Sequence, residues 1–169
     1  MNAMHTAMPA TSSPAHAACA AASASEVVET RLWLEEHEWL YALLRSENNI
    51  APTFRFPDLL SACIALVFSK SDAAQRIFGF LSTALVMRSP ATPRRRESLW
   101  QPQYELLHEL QCSPANRHPN PKFGLDQLTT ACVALCRQDD SSGAAVLHQA
   151  RCNMVERHTI SHRASQYAR

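Results

Sequence analysis

Phe54-Arg55-Phe56-Pro57-Asp58-Leu59-Leu60-Ser61-Ala62-Cys63-Ile64-Ala65-Leu66 is echoed 69 positions later by Phe123-Gly124-Leu125-Asp126-Gln127-Leu128-Thr129-Thr130-Ala131-Cys132-Val133-Ala134-Leu135. Phe54, Leu59, Ala62, Cys63, Ala65 and Leu66 each meet an identical residue, and Ser61 meets Thr130. The match runs on in both directions. Upstream, Leu32-Trp33 falls on Leu99-Trp100 at a spacing of 67, followed by Glu38 on Glu105, Leu40 on Leu107 and Leu43 on Leu110. Downstream, Ser71 to Arg88 lies on Asp140 to Arg157. A co-linear match at near-fixed spacing marks a duplicated structural unit. The change of spacing falls in a loop, where an insertion is tolerated.

The duplication divides the chain into a leader over 1–25, a first repeat over 26–88, a basic, proline-containing linker over 89–98, a second repeat over 99–157 and a polar tail over 158–169. The leader holds Ala, Ser, Thr, Pro and Met without charge and is expected to be disordered. Each repeat is read as helix, strand, helix, helix. The leading helices, 26–45 and 99–111, carry Trp33, Trp39, Tyr41, Trp100 and Tyr104 at helical spacing. Thr53–Phe56 and Lys122–Leu125 alternate as a strand does. The helix that follows each is apolar around most of its circumference and therefore belongs in the core. The predicted fold class is mainly α with a short two-stranded antiparallel β-ribbon.

A chain of 169 residues and net charge +1 has no bulk charge to recommend a nucleic-acid partner. The distribution says more: residues 51–98 hold seven Lys or Arg against three Asp or Glu, which allows a basic surface around the first predicted strand and the linker. The six cysteines lack the spacing of a secreted disulfide scaffold, which points to a reducing, cytoplasmic setting. No apolar run is long enough to span a membrane, so no membrane partner is expected.

Strand, apolar helix, polar turn, helix is an order that resembles the ribbon-helix-helix family of DNA-binding proteins, over 53–88 and 122–157. The resemblance implies that two copies pair their strands into a ribbon that enters the major groove. A tandem duplication would then supply both halves from one chain. Under it, Thr53, Arg55 and Lys122 face outward toward base edges, with Gly124 leaving one position empty. The turns at Ser71-Asp72 and at Ser141 and Ser142 hold phosphate through backbone N–H groups. Asp72, Asp139 and Asp140 sit close by and oppose an anion. Arg94, Arg95 and Arg96 either contact phosphates or simply keep the linker solvated.

Catalytic chemistry finds no foothold. The chain has only three glycines and no phosphate loop, and it has no nucleophile elbow. Cys132 and Cys136 stand one helical turn apart, with His148, Cys152, His158 and His162 to follow. Yet Cys132 occupies the place of Cys63 in the other repeat, which reads as a small buried hydrophobe. No catalytic residue, metal or cofactor is expected. The function predicted is DNA binding, as a small transcriptional regulator acting as a single-chain pseudo-dimer on double-stranded DNA. The alternative is a non-enzymatic adaptor or exported accessory protein that docks a protein partner or self-associates through the aromatic helices.

Overall fold

In a computed structural model, residues 26–117 and 122–167 are described. The leader over 1–25, Pro121 and the last two residues of the tail lie outside them. The elements follow in the order β1 (Val27–Trp33), α1 (Leu34–Leu44), α2 (Phe56–Phe68), α3 (Ala73–Phe80, continued by a π-turn over Leu81–Leu85), β2 (Arg94–Trp100), α4 (Gln101–Cys112), α5 (Leu125–Asp139) and α6 (Ala144–Tyr167). A short 3₁₀ turn, Pro114–Asn116, follows α4. The fold is mainly helical with one two-stranded antiparallel sheet.

The ribbon lies elsewhere than the sequence predicts. Val27-Val28-Glu29-Thr30-Arg31-Leu32-Trp33 alternates sides, with Thr30 and Leu32 buried while Glu29 and Arg31 are exposed. Its partner, Arg94–Trp100, was expected to be the end of the linker and the start of a helix. The expected order of helix, strand, helix, helix is therefore corrected to strand, helix, helix, helix in each half. The strands pair from Val27 opposite Trp100 to Trp33 opposite Arg94, which puts Thr30 opposite Glu97, the residue 67 positions on. Leu34 N–H donates to Pro93 O at 3.0 Å and Gln101 N–H to Glu26 O at 2.9 Å, closing the two ends of the ribbon alike.

Thr53–Phe56 and Lys122–Leu125 are not strands. Their backbones run extended into the first turns of α2 and α5, and a side chain takes the place of a strand neighbour. Asn49 Oδ1 accepts from Phe54 N–H at 2.8 Å, while its Nδ2 donates to Phe54 O at 3.1 Å and to Leu44 O at 2.8 Å. Asn116 does the same with Phe123 N–H at 2.9 Å, Phe123 O at 3.0 Å and Gln111 O at 2.9 Å. Both amides are buried, and each satisfies backbone groups that would otherwise need a ladder.

The predicted core helices are helices and form the centre. Leu59, Leu60, Cys63 and Ile64 of α2 and Leu128, Ala131, Cys132 and Val133 of α5 are fully buried. The two helices pack together, with Cys136 Sγ donating to Cys63 O at 3.4 Å. Each central helix is then covered by elements of the other half. β2 and α6 lie on α2, whereas β1 and α3 lie on α5. The strand ends are pinned the same way. Trp33 N–H donates to Thr130 Oγ1 at 3.4 Å and Trp100 N–H to Ser61 Oγ at 2.9 Å. Leu32 and Leu99, with no exposed surface, hold the ribbon to the core. Each contributes roughly 1.5–3 kcal/mol by leaving water.

The expected polar tail is helical through the described residues to Tyr167, as part of α6. Lys70 and Asp139, at the ends of α2 and α5, are ion-paired at 2.5 Å, and Arg76 joins the same carboxylate at 2.7 Å. Gly143 precedes α6 with φ +74°, and a Cβ there would stand 2.7 Å from Leu43 Cδ2. The turn thus requires glycine both for its backbone and for its closeness to α1.

Candidate nucleic-acid interface

The side of the ribbon that faces away from α2 and α5 carries the outward members of each strand. Alternation places Glu29 and Ser98 there as one pair and Arg31 and Arg96 as the next. Arg31 and Arg96 are exposed, and the Arg31 side chain has no ion-pair or hydrogen-bond partner among the described residues. Arg96 Nε reaches Glu29 Oε1 at 3.6 Å, a loose contact between two well-exposed side chains that contributes little to stability. Arg95, next in line, is exposed as well. All three arginines of the predicted linker are therefore built into a sheet, where their spacing is fixed.

Each end of the ribbon carries a tryptophan with two guanidinium groups over its ring. Arg88 and Arg94 lie over the Trp33 ring at 5.8 and 5.2 Å from its centre. Arg55 and Arg157 lie over the Trp100 ring at 5.4 and 4.4 Å. The indoles are nearly buried and anchor the strand ends, each within cation–π reach of two guanidinium groups. Arg88 donates to both oxygens of the buried Glu36 at 2.8 Å, and this pairing raises its pKa. Arg94 pairs with Asp126 at 2.9 Å.

At the other end Asp58 gathers three donors. Its carboxylate accepts from Trp100 Nε1 at 2.8 Å, Arg157 Nη2 at 2.7 Å and the Arg55 backbone N–H at 3.0 Å. Burial pulls the Arg157 pKa down, and the neighbouring Arg55 adds to that, against the support of Asp58. The Trp33 indole has no counterpart to this bond, and its Nε1 is buried without an acceptor. Shallow grooves flank the two ends. One of about 390 Å³ runs between Arg31, Arg94 and the start of α5, and one of about 370 Å³ runs between Thr53, Arg55, Trp100, Arg157 and His158.

The sequence-predicted residues therefore scatter. Arg94, Arg95 and Arg96 fall on the ribbon itself. Thr53 and Arg55 are exposed beside the Trp100 end at the start of α2, and Lys122 is exposed before α5; none of the three is on a strand. Ser71, Ser141 and Ser142 lie at the opposite ends of the central helices, and in the second half backbone N–H groups of that turn are already taken. The Asp140 carboxylate already accepts from Ser142 N–H at 3.0 Å and Ala145 N–H at 2.9 Å, capping α6. These bonds hold the Asp140 pKa below its usual value. Trp39 Nε1 also donates to Ser141 O at 3.3 Å, which ties that turn to α1.

The five residues expected to form an aromatic docking face differ in exposure. Trp33 and Trp100 are 3% and 9% exposed, and of the five aromatic residues proposed for it only Tyr41 is exposed. Cys132 and Cys136 point into the α2–α5 core, whereas His148 and Cys152 pair with each other on the surface at 3.8 Å. Among the described residues no group of three or more His, Cys, Asp or Glu could hold a metal, and no helix is long and apolar enough to cross a membrane.

Arg31 escaped the sequence reading because Glu29, Arg31 and Trp33 were assigned to a helix. The alternating Val28-Glu29-Thr30-Arg31-Leu32 run was the available signal. Comparison with known protein families, with curated proteins and with solved structures finds no match to this chain.

Proposed function

We propose that the chain is a non-enzymatic DNA-binding protein, a transcriptional regulator that lays the β1–β2 ribbon in the major groove of double-stranded DNA. The observation that carries this reading is the pair Arg31 and Arg96, directly opposite each other on the exposed side of a two-stranded ribbon. Like charges in that position oppose folding, so their presence favours an anionic partner. A two-stranded ribbon fits the width of the major groove, and arginine there donates two bonds to guanine O6 and N7.

The reading extends to the whole chain. Strand, helix, helix recurs as β1-α1-α2 and β2-α4-α5, which is the order of a ribbon-helix-helix unit with its ribbon displaced from the sequence expectation. Read as a tandem duplication, the chain is its own pseudo-dimer. The reciprocal bonds Trp33 to Thr130 and Trp100 to Ser61 support this, since each half holds the strand of the other. Arg55, Arg94, Arg95 and Lys122 are then placed as phosphate contacts to either side of the ribbon.

Fluorescence anisotropy of the full chain against mixed-sequence duplex DNA tests the proposal. Binding is expected to weaken steeply with salt, because each neutralised phosphate releases counterions. It is expected to fall more in Arg31→Ala/Arg96→Ala than in Arg55→Ala/Lys122→Ala. Absence of binding at low salt, or equal loss in the two variants, would overturn it.

A further inference from the structure

The outward residues of the two strands are basic toward one end of the ribbon only. From the Trp33 end, the pairs are Trp33 with Arg94, Arg31 with Arg96, Glu29 with Ser98 and Val27 with Trp100. Arg94, Arg31 and Arg96 all belong to the first two pairs, Arg94 being held by Asp126 of α5, and the exposed Arg95 lies at the same end. The last two pairs offer a carboxylate, a hydroxyl and Val27, which is 46% exposed.

The backbone is far more even-handed. Thr30 lies opposite Glu97, its own equivalent at a spacing of 67, so the ribbon has a local two-fold relation about that pair. Positions related by it carry opposed chemistry: Glu29 corresponds to Arg96, Arg31 to Ser98 and Val27 to Arg94. Two identical subunits could not present such a surface, because every arginine at one end would reappear at the other. One chain can.

We infer that the chain recognises a non-palindromic duplex element, one chain per site, in which guanines are read from one half alone. This rests on the DNA-binding reading of the ribbon and specifies its target. At the Trp33 end, Arg31 and Arg96 each have the bidentate donors that suit guanine O6 and N7. At the Trp100 end, Glu29 can accept from cytosine N4 and Val27 can pack on a thymine methyl. The element therefore has a direction, which fixes the orientation of the bound chain.

The test is selection of binding sites by the full chain from a pool of random duplexes, followed by stoichiometry on the enriched sequence. The expected result is a non-palindromic consensus with guanine in one half and one chain bound per duplex. Arg31→Ala should cost roughly ten-fold in discrimination within that half and leave the other half unchanged. The variant Glu29→Arg/Ser98→Arg restores like residues at two-fold-related positions and should shift the consensus toward a palindrome. Both side chains lie on the outward side of the ribbon, and an unchanged melting curve would show that the fold is kept. A palindromic consensus for the wild-type chain, or two chains per site, would overturn the inference while leaving DNA binding intact. Recovery of no duplex by the wild-type chain would instead overturn the DNA-binding reading, and the inference with it.

Discussion

Arg31 stands directly opposite Arg96 in the antiparallel ribbon, two exposed cations side by side, with Glu29 loosely held to Arg96. Directly opposed like charges destabilise a strand pair, and cross-strand terms run to about 1 kcal/mol at most. Arg31→Thr should therefore raise the urea midpoint slightly, by about 0.5 kcal/mol or less in free energy, while weakening DNA binding. A variant that loses stability would show that Arg31 is held by contacts within the fold.

The amides of Asn49 and Asn116 each hold an extended backbone by three hydrogen bonds in a buried setting. Asn49→Ala leaves Phe54 N–H without an acceptor and is expected to cost about 2–3 kcal/mol, the penalty for stranding buried polar groups. Asn116→Ala should cost a similar amount at Phe123. Urea unfolding of each variant measures this, and a loss below about 0.5 kcal/mol in both would show that the clamps are dispensable.

These clamps also explain what was legible in the sequence and what was not. The two central helices, their apolar surround and the places of Cys63 and Cys132 followed from periodicity and from the echo between the halves. The ribbon did not. Thr53-Phe54-Arg55-Phe56 alternates because Phe54 and Phe56 both enter the core, yet the strand period was satisfied by an asparagine side chain. Conversely, Leu32 and Trp33 fit a helical stripe continuing through Leu40, and the three arginines from Arg94 looked like linker. Short strands next to helices share residues with either period, and only the partner strand, 67 positions away, decides between them. The reciprocal pinning of Trp33 and Trp100 depends on three-dimensional exchange between the halves, which no local pattern records.

The thiols divide by location. Cys63, Cys132 and Cys136 are buried, and burial raises the Cys63 and Cys132 pKa well above the ordinary thiol value, with Cys136 adding to the effect. Cys112 and Cys152 are exposed. In a Cys19→Ser background, a thiol reagent near neutral pH should modify Cys112 and Cys152 quickly and reach the other three only as fast as the chain unfolds, because the thiolate is the reactive form. Rapid modification of Cys63 in the folded chain would contradict the packing of α2 on α5.

Asp139 is bound by Arg76 and Lys70, and these bonds hold its carboxyl pKa below the usual value. A lowered folded-state pKa means that the folded chain takes up fewer protons than the unfolded one. Its stabilising effect is then complete above the unfolded value near about 3.9 and is lost as pH falls through the lower folded value. The urea midpoint of the wild-type chain should exceed that of Asp139→Asn at neutral pH, and the gap should close on acidification below about pH 4. A gap that persists unchanged in acid would mean that the ion pair is not its cause. The carboxylate is partly exposed, so the gap should be small and should narrow with salt.

Amide chemical-shift mapping of the isotope-labelled chain, with and without a short duplex, tests the central claim most directly. The account predicts that the largest changes fall on Val28–Leu32 and Arg94–Ser98, with smaller ones at the starts of α2 and α5, and that Ser71, Ser141 and Ser142 stay unmoved. Changes centred on those turns, with β1 and β2 silent, would contradict it.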